Sequence, residues 1–115
     1  MPHCVIEYSH NLEQILPPLT LMETVKQACI ASNLFSPEDV KVRAFPYQHF
    51  LAAGSEEYFI HVTLKMLSGR RIEQKECVSR MILQTLTQLA LKNAGLTVEI
   101  CDIDKASYAK KVFIS

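Results

Sequence analysis

The chain has 115 residues, with twelve lysines and arginines against twelve aspartates and glutamates, a formal net charge of zero. Its 49% hydrophobic and 21% charged content excludes intrinsic disorder and fits one folded globular domain. The neutral balance argues against a general nucleic-acid or membrane-surface role, since both need a positive field. No apolar run approaches the roughly 20 residues of a membrane helix, and no basic-then-apolar leader opens the chain, so a cytoplasmic protein is expected.

Residues 3–8, His-Cys-Val-Ile-Glu-Tyr, are rich in β-formers and read as a first strand. Pro17-Pro18 precedes a helix rather than lying inside one, and Thr20 with Glu23 fits a capping box. Behind it Leu21, Met22, Val25, Ala28 and Cys29 predict a helical stripe to about Asn33. Ser36-Pro37-Glu38-Asp39 predicts a single further turn. Residues 40–45 then alternate, with Val40, Val42 and Ala44 on one face and Lys41, Arg43 and Phe45 on the other. Residues 46–57, containing Pro46 and Gly54, read as a loop.

The second half repeats the plan. Tyr58–Leu67 is a strand with Ile60, Val62, Leu64 and Met66 on one face. A turn at residues 68–71 opens the longest helix, with its apolar stripe on Cys77, Val78, Met81, Ile82, Leu86, Leu89 and Ala90. Gly95 is the expected left-handed stop. Leu96–Ile103 closes the pattern, leaving residues 104–115 as a polar-then-apolar tail.

The order β-α-β-β-α-β makes the expected fold α+β. Two duplicated β-α-β units, residues 2–57 and 58–103, share one mixed four-stranded sheet with both helices on one face. A shift of 58 residues sets Pro2-His3-Cys4-Val5 on Ile60-His61-Val62-Thr63. The uncovered face is expected to be partly apolar and covered by an oligomer. The four cysteines, Cys4, Cys29, Cys77 and Cys101, fall in periodic stretches and read as buried thiols, and the four histidines supply no ligand spacing. The sequence therefore assigns no metal and no cofactor. His3 and His61 occupy matching places and read as structural, hydrogen-bonded at the sheet.

Chemistry enters at Met1-Pro2. Removal of an initiator methionine before proline leaves a secondary amine at the terminus. An ordinary α-amino group titrates near about 7.7–8.0, and burial or neighbouring cations lower that value toward neutrality. A rigid amine so placed is a good general base. Lys41 and Arg43 share one strand face and Arg70 precedes a helix N-terminus, a set suited to carboxylates. Read alone, the same residues fit a solvated strand face and a surface turn.

The opening Pro2-His3-Cys4-Val5-Ile6-Glu7-Tyr8-Ser9 resembles the start of the 5-carboxymethyl-2-hydroxymuconate isomerase family. His61-Val62-Thr63-Leu64-Lys65 followed by Gly69-Arg70 is similar to a second segment of it. Residues 69–76 resemble the loop and helix start of 4-oxalocrotonate tautomerase, and Val42-Arg43 and His49-Phe50 resemble its second strand and following loop. The resemblance implies a homotrimer with sites near subunit boundaries. It implies a tautomerase in which Pro2 moves a proton along a carboxylated 2-hydroxymuconate-type dienol, with 5-carboxymethyl-2-hydroxymuconate the expected substrate in the breakdown of aromatic compounds. Arg43 and Arg70 match its carboxylate-binding arginines, and Phe50 an apolar pocket residue. Lys41 stands where the isomerase has arginine, which keeps the charge but loses the two-pronged grip. A non-enzymatic ligand-binding or regulatory module on the same fold, and a tautomerase for a different enol acid, are the alternatives.

Overall fold

The computed structural model describes residues 1–114. Strands β1 (His3–Ser9), β2 (Lys41–Tyr47), β3 (Tyr58–Leu67) and β4 (Ala94–Ile103) alternate with helices α1 (Pro18–Ala31) and α2 (Ile72–Thr87) in the expected order. They form one sheet ordered β2-β1-β3-β4. The outer pairs β1–β2 and β3–β4 run parallel, each joined by a helical crossover, while the central pair β1–β3 runs antiparallel. The sheet is mixed, as the duplicated plan requires.

The register makes the duplication geometric. His3 pairs with Lys65 and Glu7 with His61. Shifting His3 by 58 residues gives His61, the partner of Glu7, and shifting Glu7 gives Lys65, the partner of His3, so a pseudo-twofold axis passes between Val5 and Thr63.

Alternation sorts the two faces. Cys4, Ile6, Ile60, Val62 and Leu64 are fully buried and meet Val25 and Cys29 of α1 and Val78, Ile82 and Leu86 of α2. The two helices pack on each other, α1 also on β1 and β2, and α2 on β4. The opposite face carries His3, Glu7, Arg43, His61, Thr63 and Lys65 together with Val5, Phe45, Tyr47 and Phe59, a mixture of polar and apolar side chains. Its aromatic part, Phe45, Tyr47 and Phe59, gathers at one end. Among the described residues no helix is long and apolar enough to cross a membrane.

Several local expectations are corrected. Helix α1 begins at Pro18, whose ring already fixes a helical φ, and Pro17 occupies the cap. Thr20 therefore lies inside the helix, where its carbonyl accepts from the Thr24 hydroxyl at 2.7 Å, and Thr20 and Glu23 form no capping box. Helix α2 instead uses the reciprocal contact of Gln74, whose Oε1 accepts from the Arg71 N–H at 2.9 Å. Gly95 is no left-handed stop but the second residue of β4, paired with Phe59. The left-handed residues after the helices are Asn33, Ala90 and Asn93, at φ of 62°, 56° and 57°. Asparagine tolerates that region through its short polar side chain. Cys77 is exposed and Cys101 half-buried, so only Cys4 and Cys29 behave as the expected buried thiols, with their sulfurs 3.2 Å apart. Because α2 ends at Thr87, Ala90 lies beyond it and is exposed.

Candidate active site at the start of the first strand

Pro2 is fully buried at the head of β1. Its carbonyl accepts from the Lys41 N–H at 3.1 Å, which fastens it to the start of β2. The parallel register then sets Lys41 beside His3 and Arg43 beside Val5 on the open face. Lys41 is half-buried and Arg43 exposed.

Arg43 reaches back to the His3 ring, with Nη1 3.2 Å from Nδ1. Guanidinium has no acceptor, so Nδ1 of His3 accepts and Nε2 carries the proton. That Nε2–H points at the Tyr108 hydroxyl, 2.9 Å away, in the C-terminal tail. The imidazole is thus neutral. Burial, and then the charges of Arg43 and Lys41, hold its pKa below the ordinary histidine value.

Arg70 arrives from the turn between β3 and α2. Gly69 makes that turn possible with φ of 116°, and a Cβ there would stand 3.2 Å from the Lys105 ammonium. The Arg70 guanidinium donates to the Leu34 carbonyl at 2.7 Å and lies 5.4 Å over the Phe35 ring. These contacts hold the charge in place.

Met1 stands half-buried over Pro2. Its amine is held below the ordinary α-amino value, first by burial and then by Lys41, Lys110 and Arg70, against the opposing pull of Asp39. The Lys110 ammonium lies 2.9 Å from the Met1 sulfur.

Of the residues singled out in the sequence, Pro2, Lys41, Arg43 and Arg70 thus converge on one end of the sheet. Phe50 does not. It follows β2, whose last residue Tyr47 pairs with Ser9, and its ring packs 5.1 Å from Phe59 at the opposite end of the strands. Seven residues of β1 separate those ends by about 20 Å. A pocket on Pro2 can include Phe50 only from another copy of the chain.

Tyr108 and Lys110 were missed in the sequence because their partners, His3 and Met1, lie 105 and 109 residues away. The basic character of the tail, with Lys105, Lys110 and Lys111, was the available signal. Among the described residues no group of three or more histidine, cysteine or acidic side chains could hold a metal ion.

The 5-carboxymethyl-2-hydroxymuconate isomerase family matches residues 2–114, nearly the whole chain. The chain belongs to this family. A 5-carboxymethyl-2-hydroxymuconate isomerase from Deinococcus radiodurans R1 is 28% identical, with a TM-score of 0.77 over 96% of this chain and 88% of that one. A 5-carboxymethyl-2-hydroxymuconate delta-isomerase superposes with the same TM-score at 23% identity, covering 98% and 88% of the two chains. A fused 4-OT symmetric trimer shares the fold at 13% identity and a TM-score of 0.69, covering 95% of this chain and 93% of that one. No curated protein matches the sequence. As a member of this isomerase family the chain is an enzyme of tautomerase fold, and the non-enzymatic alternative gives way.

Proposed function

We propose that the chain ketonises a carboxylated 2-hydroxymuconate-type dienol, 5-carboxymethyl-2-hydroxymuconate being the favoured substrate, with the nitrogen of Pro2 as base once Met1 is removed. The free imino nitrogen takes the proton of the enol hydroxyl and returns it to a carbon of the diene. The double bonds shift, the C–O bond becomes a carbonyl, and no atom is gained or lost. The reaction needs a base that is largely unprotonated near neutral pH. One observation carries this reading: the Met1 amine, one residue before the Pro2 nitrogen, has its proton affinity lowered by burial and by Lys41, Lys110 and Arg70, against the opposing pull of Asp39.

The same cations serve the substrate. Arg43 and Arg70 offer planar, multi-donor grips on carboxylates, and Lys41 a single ammonium. Charge that moves onto oxygen during proton transfer is stabilised by groups already fixed in place. The reading includes a homotrimer, in which Phe50 of a neighbouring copy closes the apolar side of the pocket. The pseudo-twofold equivalent of Pro2 is the buried Ile60, which has no free amine, so each chain supplies one base. A cytoplasmic role in aromatic-compound breakdown follows from this substrate.

The test is the ketonisation rate of a 2-hydroxydienoate, followed by ultraviolet absorbance, in protein whose intact mass shows Met1 absent. Pro2→Ala is expected to lower kcat/KM by about 100-fold. An unchanged rate refutes proline catalysis.

A further inference from the structure

We propose that residues 104–114 form a strap across the mouth of this site, with Lys110 a substrate-carboxylate ligand and Tyr108 the residue that positions it. This deepens the function proposed above and rests on it for the identity of the substrate.

The strap has three fixed points. The Ile103 carbonyl accepts from the Ser68 N–H at 2.9 Å, holding the end of β4 against the turn that carries Arg70. The Asp104 carboxylate accepts from the Ala106 N–H at 3.1 Å, starting a 3-10 turn over Lys105–Ser107. That turn sets the Lys105 ammonium over Gly69. Third, the Tyr108 hydroxyl receives the Nε2–H of His3, with the two rings edge to face at 6.0 Å. The remainder of the tail is exposed, so His3 is what ties the strap to β1.

Two residues beyond that tie, Lys110 reaches the Met1 sulfur. A thioether is a weak acceptor and leaves an ammonium largely unsatisfied. Removing Met1 takes this partner away and leaves Lys110 facing the space before Pro2. Lys41, from β2, and Arg70, from the β3–α2 turn, face the same terminus. Three cations from three separate parts of the chain thus act on one terminus, with Asp39 the opposing carboxylate. The Tyr108 hydroxyl accepts from His3 and keeps its own proton to donate. This arrangement suits an anion with more than one carboxylate, of which Lys110 takes one.

The probe is a non-isomerisable aliphatic dicarboxylate titrated into Met1-free protein by calorimetry, beside kinetics on monocarboxylate and dicarboxylate enols. Lys110→Met is expected to weaken dicarboxylate binding about tenfold and to raise KM for the dicarboxylate enol about tenfold more than for the monocarboxylate, a selectivity change that a shift in the proline nitrogen's proton affinity does not produce. Lys110→Arg should restore most of the loss. Tyr108→Phe, which keeps the ring, should lower the dicarboxylate-to-monocarboxylate selectivity about threefold, a ratio that general destabilisation does not move. Wild-type protein that fails to bind the dicarboxylate, or a Lys110→Met variant with unchanged affinity and selectivity, overturns the proposal. Calorimetry separates this outcome from the fate of the proline base. If Pro2→Ala keeps full activity while Lys110→Met still loses binding, the strap stands and the base assignment falls.

Discussion

The two halves of the molecule present the same local design with opposite charge. In the first, His3 lies beside Lys41, and Arg43 two residues further along β2 bonds its ring. In the second, His61 lies beside Thr97, and Glu99 two residues further along β4 bonds its ring at 2.5 Å. Arg43 and Glu99 are therefore equivalent under the pseudo-twofold axis. Burial and the neighbouring cations lower the proton affinity of the first histidine, whereas the second pulls the Glu99 carboxyl below its usual range. One end gathers cationic side chains, and the other pairs its histidine with a carboxylate. The fold alone therefore does not specify the chemistry: Arg43 against Glu99, and Pro2 against Ile60, distinguish the two equivalent ends.

That contrast can be broken most severely by giving the first end the charge of the second. Arg43→Glu replaces an attraction by a repulsion and is expected to raise KM for a dicarboxylate enol about 100-fold, read from initial rates. Unchanged KM removes Arg43 from the site. Glu99→Gln is the control at the other end, and KM should stay within about twofold.

Acid should distinguish the ends by pH window. His3 has a folded pKa below its unfolded value of 6.5, so the unfolded chain binds more protons and stability falls as pH drops from about 6.5 through the folded value. Glu99 has a folded pKa below 4.5, so its contribution holds above that value and is lost as pH falls through the folded one. In thermal melts across pH, His3→Gln should flatten the upper window alone and Glu99→Gln the lower alone. A His3→Gln curve that parallels wild type down to pH 5 contradicts the assignment.

The smallest effect is expected at Lys41. Lys41→Arg restores a planar grip where the family resemblance expects one, and should lower KM for polycarboxylates two- to threefold, about 0.5 kcal/mol, without changing kcat. A rise in KM indicates that the compact ammonium fits the natural substrate better.

The architecture was legible because period-two and helical patterns are dictated by burial, and β3 begins and ends at the residues where its alternation does, Tyr58 and Leu67. The offset of 58 residues was legible too, since the register of β1 on β3 obeys it. Local stops were less so. Either Gly95 or Asn93 can take a left-handed conformation, and pairing with β3 decided between them by drawing Gly95 into β4. Thr20 and Glu23 had capping-box spacing, yet Pro18 started the helix three residues before the Leu21 that such a box implies. At the site, Pro2, Lys41, Arg43 and Arg70 were reachable from residue chemistry and resemblance. The roles of Tyr108 and Lys110 were not, because a tail that crosses the sheet end leaves no periodic trace. Phe50 shows the converse: a motif match placed it in the pocket, but the parallel pairing of β1 and β2 carries it to the far end of its own chain.

The central claim is that excision of Met1 exposes a titratable nitrogen on Pro2 whose proton affinity is lowered by burial and by the surrounding cations. The most direct measurement is a nitrogen-15 NMR titration of proline-labelled, Met1-free protein. The account predicts one proline nitrogen titrating clearly below about 7.7–8.0, the ordinary range for a terminal amine, and moving upward in Lys41→Met or Lys110→Met. A nitrogen that titrates at or above that range, or none that titrates at all, contradicts it.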